Sequence, residues 1–214
     1  MKLLFGSSKG GVGKTTNALH LAVQQHYKGR RVGILKADKN RDITGWAQRR
    51  SEAGAPSIAI HEAYGNIAGE IEKLAPLYDV LIIDAAGHDS AEFRSALTCV
   101  DYLISPVCPA SCLETDNLYD LSVITNDAKR LANPGLKAGI LFTRVANSGS
   151  EAAELAKSLQ ADKSFIQPFK QRISELKVYR LSINAGVGVH ELERASSLGK
   201  AKGQIELLAK ELGL

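Results

Sequence analysis

The stretch Lys9-Gly10-Gly11-Val12-Gly13-Lys14-Thr15-Thr16 decides how the rest of the chain is read. It follows a short apolar run, Leu3-Leu4-Phe5, and precedes an amphipathic segment that begins near Lys14. A strand, a glycine-rich turn and a helix N-terminus in that order form a phosphate cradle. Glycines let backbone N–H groups turn inward with no Cβ in the way, and the helix dipole adds positive potential. In such a cradle Lys14 reaches the β- and γ-phosphates of a nucleotide, and the Thr15 hydroxyl ligates Mg²⁺. The block meets the P-loop pattern G-x-x-x-x-G-K-[ST] only in part. Ser8 stands where the first glycine belongs, and an extra lysine, Lys9, precedes the glycines.

Outward from this block, strand-like and helix-like segments alternate to the end of the chain. That is the pattern of an α/β fold with a mainly parallel, doubly wound sheet flanked by helices. Strands are expected near Lys2–Phe5, Arg31–Ala37, Ser57–His61, Val80–Asp84, Tyr102–Pro106 and Leu136–Thr143, with a weaker one near Ser164–Ile166. Helices are expected over Lys14–Tyr27, Thr44–Glu52, Asn66–Leu74, Ala91–Cys99, Glu114–Leu131, Ser150–Leu159 and Gly199–Leu212. The 214 residues carry 44% hydrophobic side chains, enough for one well-buried domain spanning 1–214, and there is no linker or repeat. The net charge of +4 permits an acidic partner without demanding one. Three cysteines at irregular spacing argue against a disulfide framework and fit a reducing cytoplasm. No apolar run approaches the length of a membrane span, and the chain opens on a strand with no signal peptide expected.

Three further charged residues bear on chemistry. Asp84 ends the apolar run Val80-Leu81-Ile82-Ile83, where an α/β sheet places its ligand site. With a phosphate loop upstream, it takes the Walker B role and holds Mg²⁺. Asp38 lies just past the second strand, beside either the P-loop strand or the Walker B strand. A carboxylate facing the γ-phosphate there orients the attacking water, and a loop aspartate that opens a turn is the plain alternative. Lys9, flanked by glycine, projects away from its own site. In a face-to-face dimer it reaches phosphates bound by the other subunit; a solvated charge is the plain alternative, and the residues alone leave both open.

At this point the chain resembles the ParA/MinD family of deviant Walker A ATPases, in particular its short plasmid-partition members. Lys9–Thr16 is similar to the KGGxGK[ST] motif of that family, and Arg31–Asp38 to its second strand ending in D-x-D. Tyr78–Ser90 resembles its Walker B strand and the switch loop that follows. Asp101–Pro109 and the stretch from Tyr179-Arg180 to Val189 resemble two later segments, so the likeness runs along the whole chain. The resemblance implies ATP-dependent homodimerisation and slow, partner-stimulated hydrolysis of ATP to ADP with Mg²⁺. Carried over by position, Lys9 acts across the dimer, and Gly10, Gly11, Val12 and Gly13 supply backbone donors. Lys14 binds phosphate, Thr15 ligates the metal and Thr16 contacts the α-phosphate. Asp38 positions water and Asp84 completes the metal site, while Thr143, Arg144, Pro168 and Phe169 fall where family members contact adenine. Two departures stand out. Lys36 replaces the first aspartate of D-x-D, and Ala85-Ala86-Gly87 replaces the usual proline-containing loop.

The resemblance further implies non-specific DNA binding in the ATP state, a ParB-like centromere-binding partner and a cytoplasmic, nucleoid-associated location. Basic candidates are Lys163, Lys170, Arg172, Lys177 and Arg180, and a second region of Lys28, Arg30, Arg31, Lys39, Arg41, Arg49 and Arg50. Contacts of this kind weaken steeply with salt. The final segment, Gln204–Leu212, has mixed charge and no aromatic anchor, so it reads as a packed helix and no membrane partner is expected. Cys108 and Cys112 lack the C-x-x-C spacing of cluster carriers and, with Cys99, are expected to be structural. His88 is read as a neighbour of the site and Trp46 as helix packing. Two other functions remain open: a scaffold ATPase that positions a conjugation or secretion machine through a protein partner, and a small-molecule ligase of the dethiobiotin-synthetase type.

Overall fold

A computed structural model describes the chain except Ser8, Gly87, His88, residues 112–116, Asn147 and Gly149. Strands β1 (Lys2–Phe5), β2 (Val32–Ala37), β3 (Ala59–Glu62), β4 (Val80–Ala85), β5 (Tyr102–Val107) and β6 (Lys137–Phe142) form one sheet. Its order is β3-β2-β4-β1-β5-β6, and every pairing is parallel. Eight α-helices flank it among the described residues. They are α1 (Lys14–Tyr27), α2 (Asp42–Glu52), α3 (Ala68–Leu74), α4 (Ala91–Leu97), α5 (Leu118–Leu131), α6 (Glu151–Ala161), α7 (Lys177–Asn184) and α8 (Leu198–Leu212).

Alternation along the strands divides the core in two. Leu3, Phe5, Ile34, Ile82 and Ile104 face α1, α2, α7 and α8, where Leu19, Trp46, Val178 and Ile205 meet them. Leu4, Leu35, Ile83 and Leu103 face the other way, onto Ile71, Phe93, Leu121 and Leu159. Because both faces are covered, every residue of β4 is buried, which explains its unbroken apolar run. The chain leaves β1 through α1 for β2 on one side, whereas β5 lies on the other side of β1. The reversal of direction opens a crevice at the carboxyl ends of β1 and β4.

Most expected elements are present with ends moved by a few residues, and α1 has the expected limits. Two expectations change. Ser164–Ile166 is not a strand; instead the chain runs beside β6 with isolated bridges Ile140↔Pro168 and Val145↔Ser174. Helix α7, which local pattern did not announce, is held by tertiary contacts. Val178, Tyr179 and Ser182 are buried, and the Tyr179 hydroxyl donates to Ala201 O of α8 at 3.0 Å. Trp46 is fully buried under Arg50, as the packing role required. His88, Cys112 and the expected start of α5 at Glu114 lie outside the described residues, while Cys99 and Cys108 are half-buried.

Candidate nucleotide site

A cavity of about 920 Å³ opens at the crevice. Gly10–Asn17 form its floor, with Asp38, Asn40 and Asp42 on one side, Ala86 behind, and Thr143, Arg144 and Ile173–Lys177 opposite. The loop adopts its curve through glycine: Gly11 and Gly13 have φ of 77° and 90°, the left-handed region that side chains avoid. Helix α1 starts there without a side-chain cap, so its first N–H groups face the cavity. Asn17 Nδ2 donates to Gly13 O at 2.7 Å, and Thr143 Oγ1 donates to Val12 O at 2.8 Å, fixing the loop from both sides.

Lys14 is 8% exposed, and its Nζ donates to Lys9 O at 3.2 Å. Burial pulls its pKa down, opposed by the charges of Asp84 and Asp38. An ammonium held against a carbonyl and facing open space is ready to take phosphate oxygens. The Thr15 hydroxyl donates to Asp84 Oδ2 at 2.7 Å. Asp84 is 1% exposed, and its other oxygen, Oδ1, is buried without a partner among the described residues. Burial pushes the Asp84 pKa up to about 7, against the Thr15 bond and the Lys14 charge, which lower it. A buried carboxylate with an orphaned oxygen beside a threonine hydroxyl fits a hard divalent cation, which takes oxygen ligands.

Asp38 is half-buried on the cavity wall. Its Oδ1 accepts from Asn40 N–H at 3.0 Å, and Asn40 Oδ1 accepts from Asp42 N–H at 3.1 Å. Successive side-chain turns hold the carboxylate at the entrance to α2. The Lys9 carbonyl also accepts from the Ser7 hydroxyl at 2.7 Å, but Lys9 itself is not among the cavity-lining residues.

The structure thus gathers Gly10–Thr16, Asp38, Thr143 and Arg144 around one space, with Asp84 beneath Thr15. Pro168 and Phe169 do not line it. Phe169 is buried against Tyr102, its ring centroid 5.6 Å away, and its N–H donates to Ile140 O in the middle of β6. The carboxyl end of β6 is reached only at Ile173, whose N–H donates to Phe142 O at 2.8 Å. Ile173–Lys177, and not Pro168-Phe169, therefore line the cavity. Local sequence carries no signal for this, because pairing with β6 sets where the segment crosses the sheet edge. Asn40, Tyr179 and Arg180 are further lining residues, the last two at the start of α7.

The basic candidates also divide. Lys177 and Arg180 line the cavity. Arg50 is buried in a two-pronged bond to Glu191, at 2.8 and 2.6 Å, and is withdrawn from any surface contact. Arg31 is exposed and paired with Asp79 at 2.8 Å, and Lys28, Lys39, Arg41, Lys163 and Lys170 are exposed.

Comparison with known proteins gives the family. Residues 3–183 match the family described as the CobQ/CobB/MinD/ParA nucleotide binding domain. The chain is 27% identical over 209 residues to the "Maintenance of carboxysome distribution protein A" of Gloeobacter kilaueensis, covering 96% of this chain and 91% of that protein. It is 28% identical over 147 residues to "Protein ParA" of Rhizobium radiobacter, covering 67% of this chain and 64% of that one. The fold matches the ATP complex of an Asp-to-Ala variant of Cyanothece McdA with a TM-score of 0.74, at 18% identity, over 100% of this chain and 96% of that one. The match over most of its length makes this chain a member of the ParA/MinD family of nucleotide-binding proteins.

Proposed function

We propose that this protein is an ATPase that dimerises on ATP and uses hydrolysis to release that state, so that nucleotide acts as a switch in positioning DNA or another large cargo. The observation that carries the proposal is the convergence of Lys14, Thr15 and Asp38 on one cavity, with Asp84 directly beneath Thr15. Lys14 and the first N–H groups of α1 would bind and neutralise phosphate oxygens. Mg²⁺, held by Thr15 and Asp84, would add positive charge at the β- and γ-phosphates. Asp38 would accept a hydrogen bond from water and align it, and Lys9 would reach the nucleotide of a second copy.

Cargo is argued on two supports. The ParA-named relative favours plasmid DNA partition, with a ParB-like partner and non-specific DNA contacts by exposed lysines and arginines. The carboxysome-distribution relative, similar over nearly the whole chain, favours a scaffold role in which a protein partner links the ATPase to its cargo. Both readings share the dimer switch, and only the partition reading requires DNA as the surface on which it works. Helix α8 buries Ala201, Ile205, Leu208 and Leu212 in the core, so its apolar face is already used. Among the described residues no helix is long and apolar enough to cross a membrane.

The test is Asp38→Ala. Light scattering with ATP and Mg²⁺ should give a persistent mass of two chains, retained by random-sequence DNA at low salt and released at high salt. Hydrolysis at the parent rate would remove Asp38 from its assigned role. A mass of two chains that ignores DNA at low salt would leave the protein-partner scaffold as the reading.

A further inference from the structure

Two residues before Asp38 stands Lys36, a buried cation in β2 whose side chain is 5% exposed. Its backbone is in register with Asp84 on one side and with Glu62 on the other. The ammonium is held on the Glu62 side: Nζ donates to the Tyr64 hydroxyl at 2.9 Å and lies 3.4 Å from Glu62 Oε1. The Tyr64 hydroxyl donates onward to Glu62 Oε2 at 2.9 Å. These contacts join the end of β2 to Tyr64 and Glu62.

The next residue continues the path. Gly65 has φ of 75°, a turn that only glycine takes without strain, and its N–H donates to Glu92 Oε1 of α4 at 2.7 Å. Ile67 N–H donates to the Ser95 hydroxyl of the same helix at 3.0 Å. Helix α4 follows β4 and the stretch that contains Ala86, and Ser90 caps it by accepting from Phe93 N–H at 3.1 Å. The loop between β3 and α3 is thus tied at one end to the strand that leads into Asp38. At the other end it is tied to the helix that follows Asp84. Asp38 and Ala86 both line the nucleotide cavity, whereas Tyr64, Gly65, Glu92 and Ser95 do not.

We propose that Lys36 and Tyr64 are positioning residues that link the two walls of the nucleotide site from behind, through the Tyr64–Ile67 loop and α4. A shift of the Asp38 loop on nucleotide binding reaches α4 through these bonds, and a shift of α4 reaches Asp38. The lysine at this position is what makes the link, because an acidic side chain there would face Glu62 and repel it. The inference rests on the reading of the cavity as an ATP site.

Amide exchange followed by NMR, with and without ATP and Mg²⁺, tests it in the full chain. In the parent, ATP should slow exchange at Gly65 and Ile67 by about fivefold, together with the amides of Gly10–Thr15. Tyr64→Phe removes one hydroxyl and should abolish the response at Gly65 and Ile67 while sparing the response at Gly10–Thr15. Lys36→Met should do the same. ATP affinity should stay within about twofold in Tyr64→Phe while turnover at saturating ATP falls about fivefold, a split that general destabilisation does not produce. If Gly10–Thr15 respond in the parent and Gly65 and Ile67 do not, or if Tyr64→Phe leaves their response intact, the link is overturned and the ATP site stands. If Gly10–Thr15 are themselves silent, the ATP reading falls and the link with it.

Discussion

Asp84 and His20 place opposite demands on pH. In the metal-free protein, burial raises the Asp84 pKa from 3.8 to about 7. An acid whose folded pKa lies above its unfolded one destabilises the fold when ionised. The cost is absent below about pH 4, grows toward pH 7 and is constant above it, on the order of 4 kcal/mol at full extent. Asp84→Asn should therefore unfold at a higher temperature than the parent at pH 8 without Mg²⁺, with the gap shrinking toward pH 4.5. The same variant should lose Mg²⁺-dependent nucleotide binding, measured by fluorescent ATP. A parent that is the more stable at pH 8 would contradict the buried-charge account.

His20 works the other way. It is fully buried in α1, with Nε2 against Tyr179 O at 3.1 Å and Nδ1 accepting from Val189 N–H at 3.3 Å. Burial holds its pKa down at about 4, so the ring stays neutral in the fold. A depressed base contributes its full stability above pH 6.5 and loses it as pH falls toward 4. Between pH 7 and pH 5 the loss is on the order of 2 kcal/mol. His20→Gln keeps a donor and an acceptor but cannot titrate, so urea unfolding at the two pH values should differ less than in the parent by about that amount. An unchanged difference would mean that another group controls the acid limb.

Among the elements, α2 and α7 depend on one close approach. Gly186, just past α7, has φ of 76°, and a Cβ there would lie 2.3 Å from Arg50 N and 2.4 Å from Arg49 C. The obstacle is helix backbone, and α2 cannot retreat because Arg50 is bonded to Glu191, Gly186 O and Pro56 O. Gly186→Ala should cost on the order of 3 kcal/mol, read as a lowered urea midpoint. A midpoint equal to that of the parent would show that the two helices are free to separate.

Legibility also varies by element. β1, α1 and β4 are evident in sequence because each is marked by its own residues: an apolar triplet, a glycine block, an unbroken apolar run. Lys14, Thr15 and Asp84 follow directly, since strand end and helix start bring them together. Helix α7 is different. It has 8 residues, and it is held by Tyr179 reaching α8 and by burial against α1. The same holds for the far wall of the cavity. The resemblance places Pro168 and Phe169 there, yet Phe169 packs over Gly139, where a Cβ would come within 2.5 Å of its ring. A stacked aromatic and a glycine in β6 set the level of that segment, and neither is adjacent in sequence.

At the scale of the whole molecule, the proposed dimer gives Lys9 a role. Lys9 offers its carbonyl to Lys14 but does not itself line the cavity. In the proposed dimer its ammonium would reach the nucleotide of the second copy. Lys9→Ala should bind fluorescent ATP with near-parental affinity, yet remain at the mass of one chain by light scattering under conditions where the parent reaches two. Turnover at the parent rate by a single chain would remove Lys9 from this role.

What the sequence alone determined is the nucleotide cradle, the alternation that yields a parallel α/β sheet, and the carboxylates at strand ends. These depend on backbone freedom, periodicity and burial, which act over a few residues. Tertiary structure decided the strand order, the far wall at Ile173–Lys177, the withdrawal of Arg50 into the core and the partners of Lys36. Each of these is a contact between residues distant in the chain, and its energy exists only once the sheet has brought the two sides together.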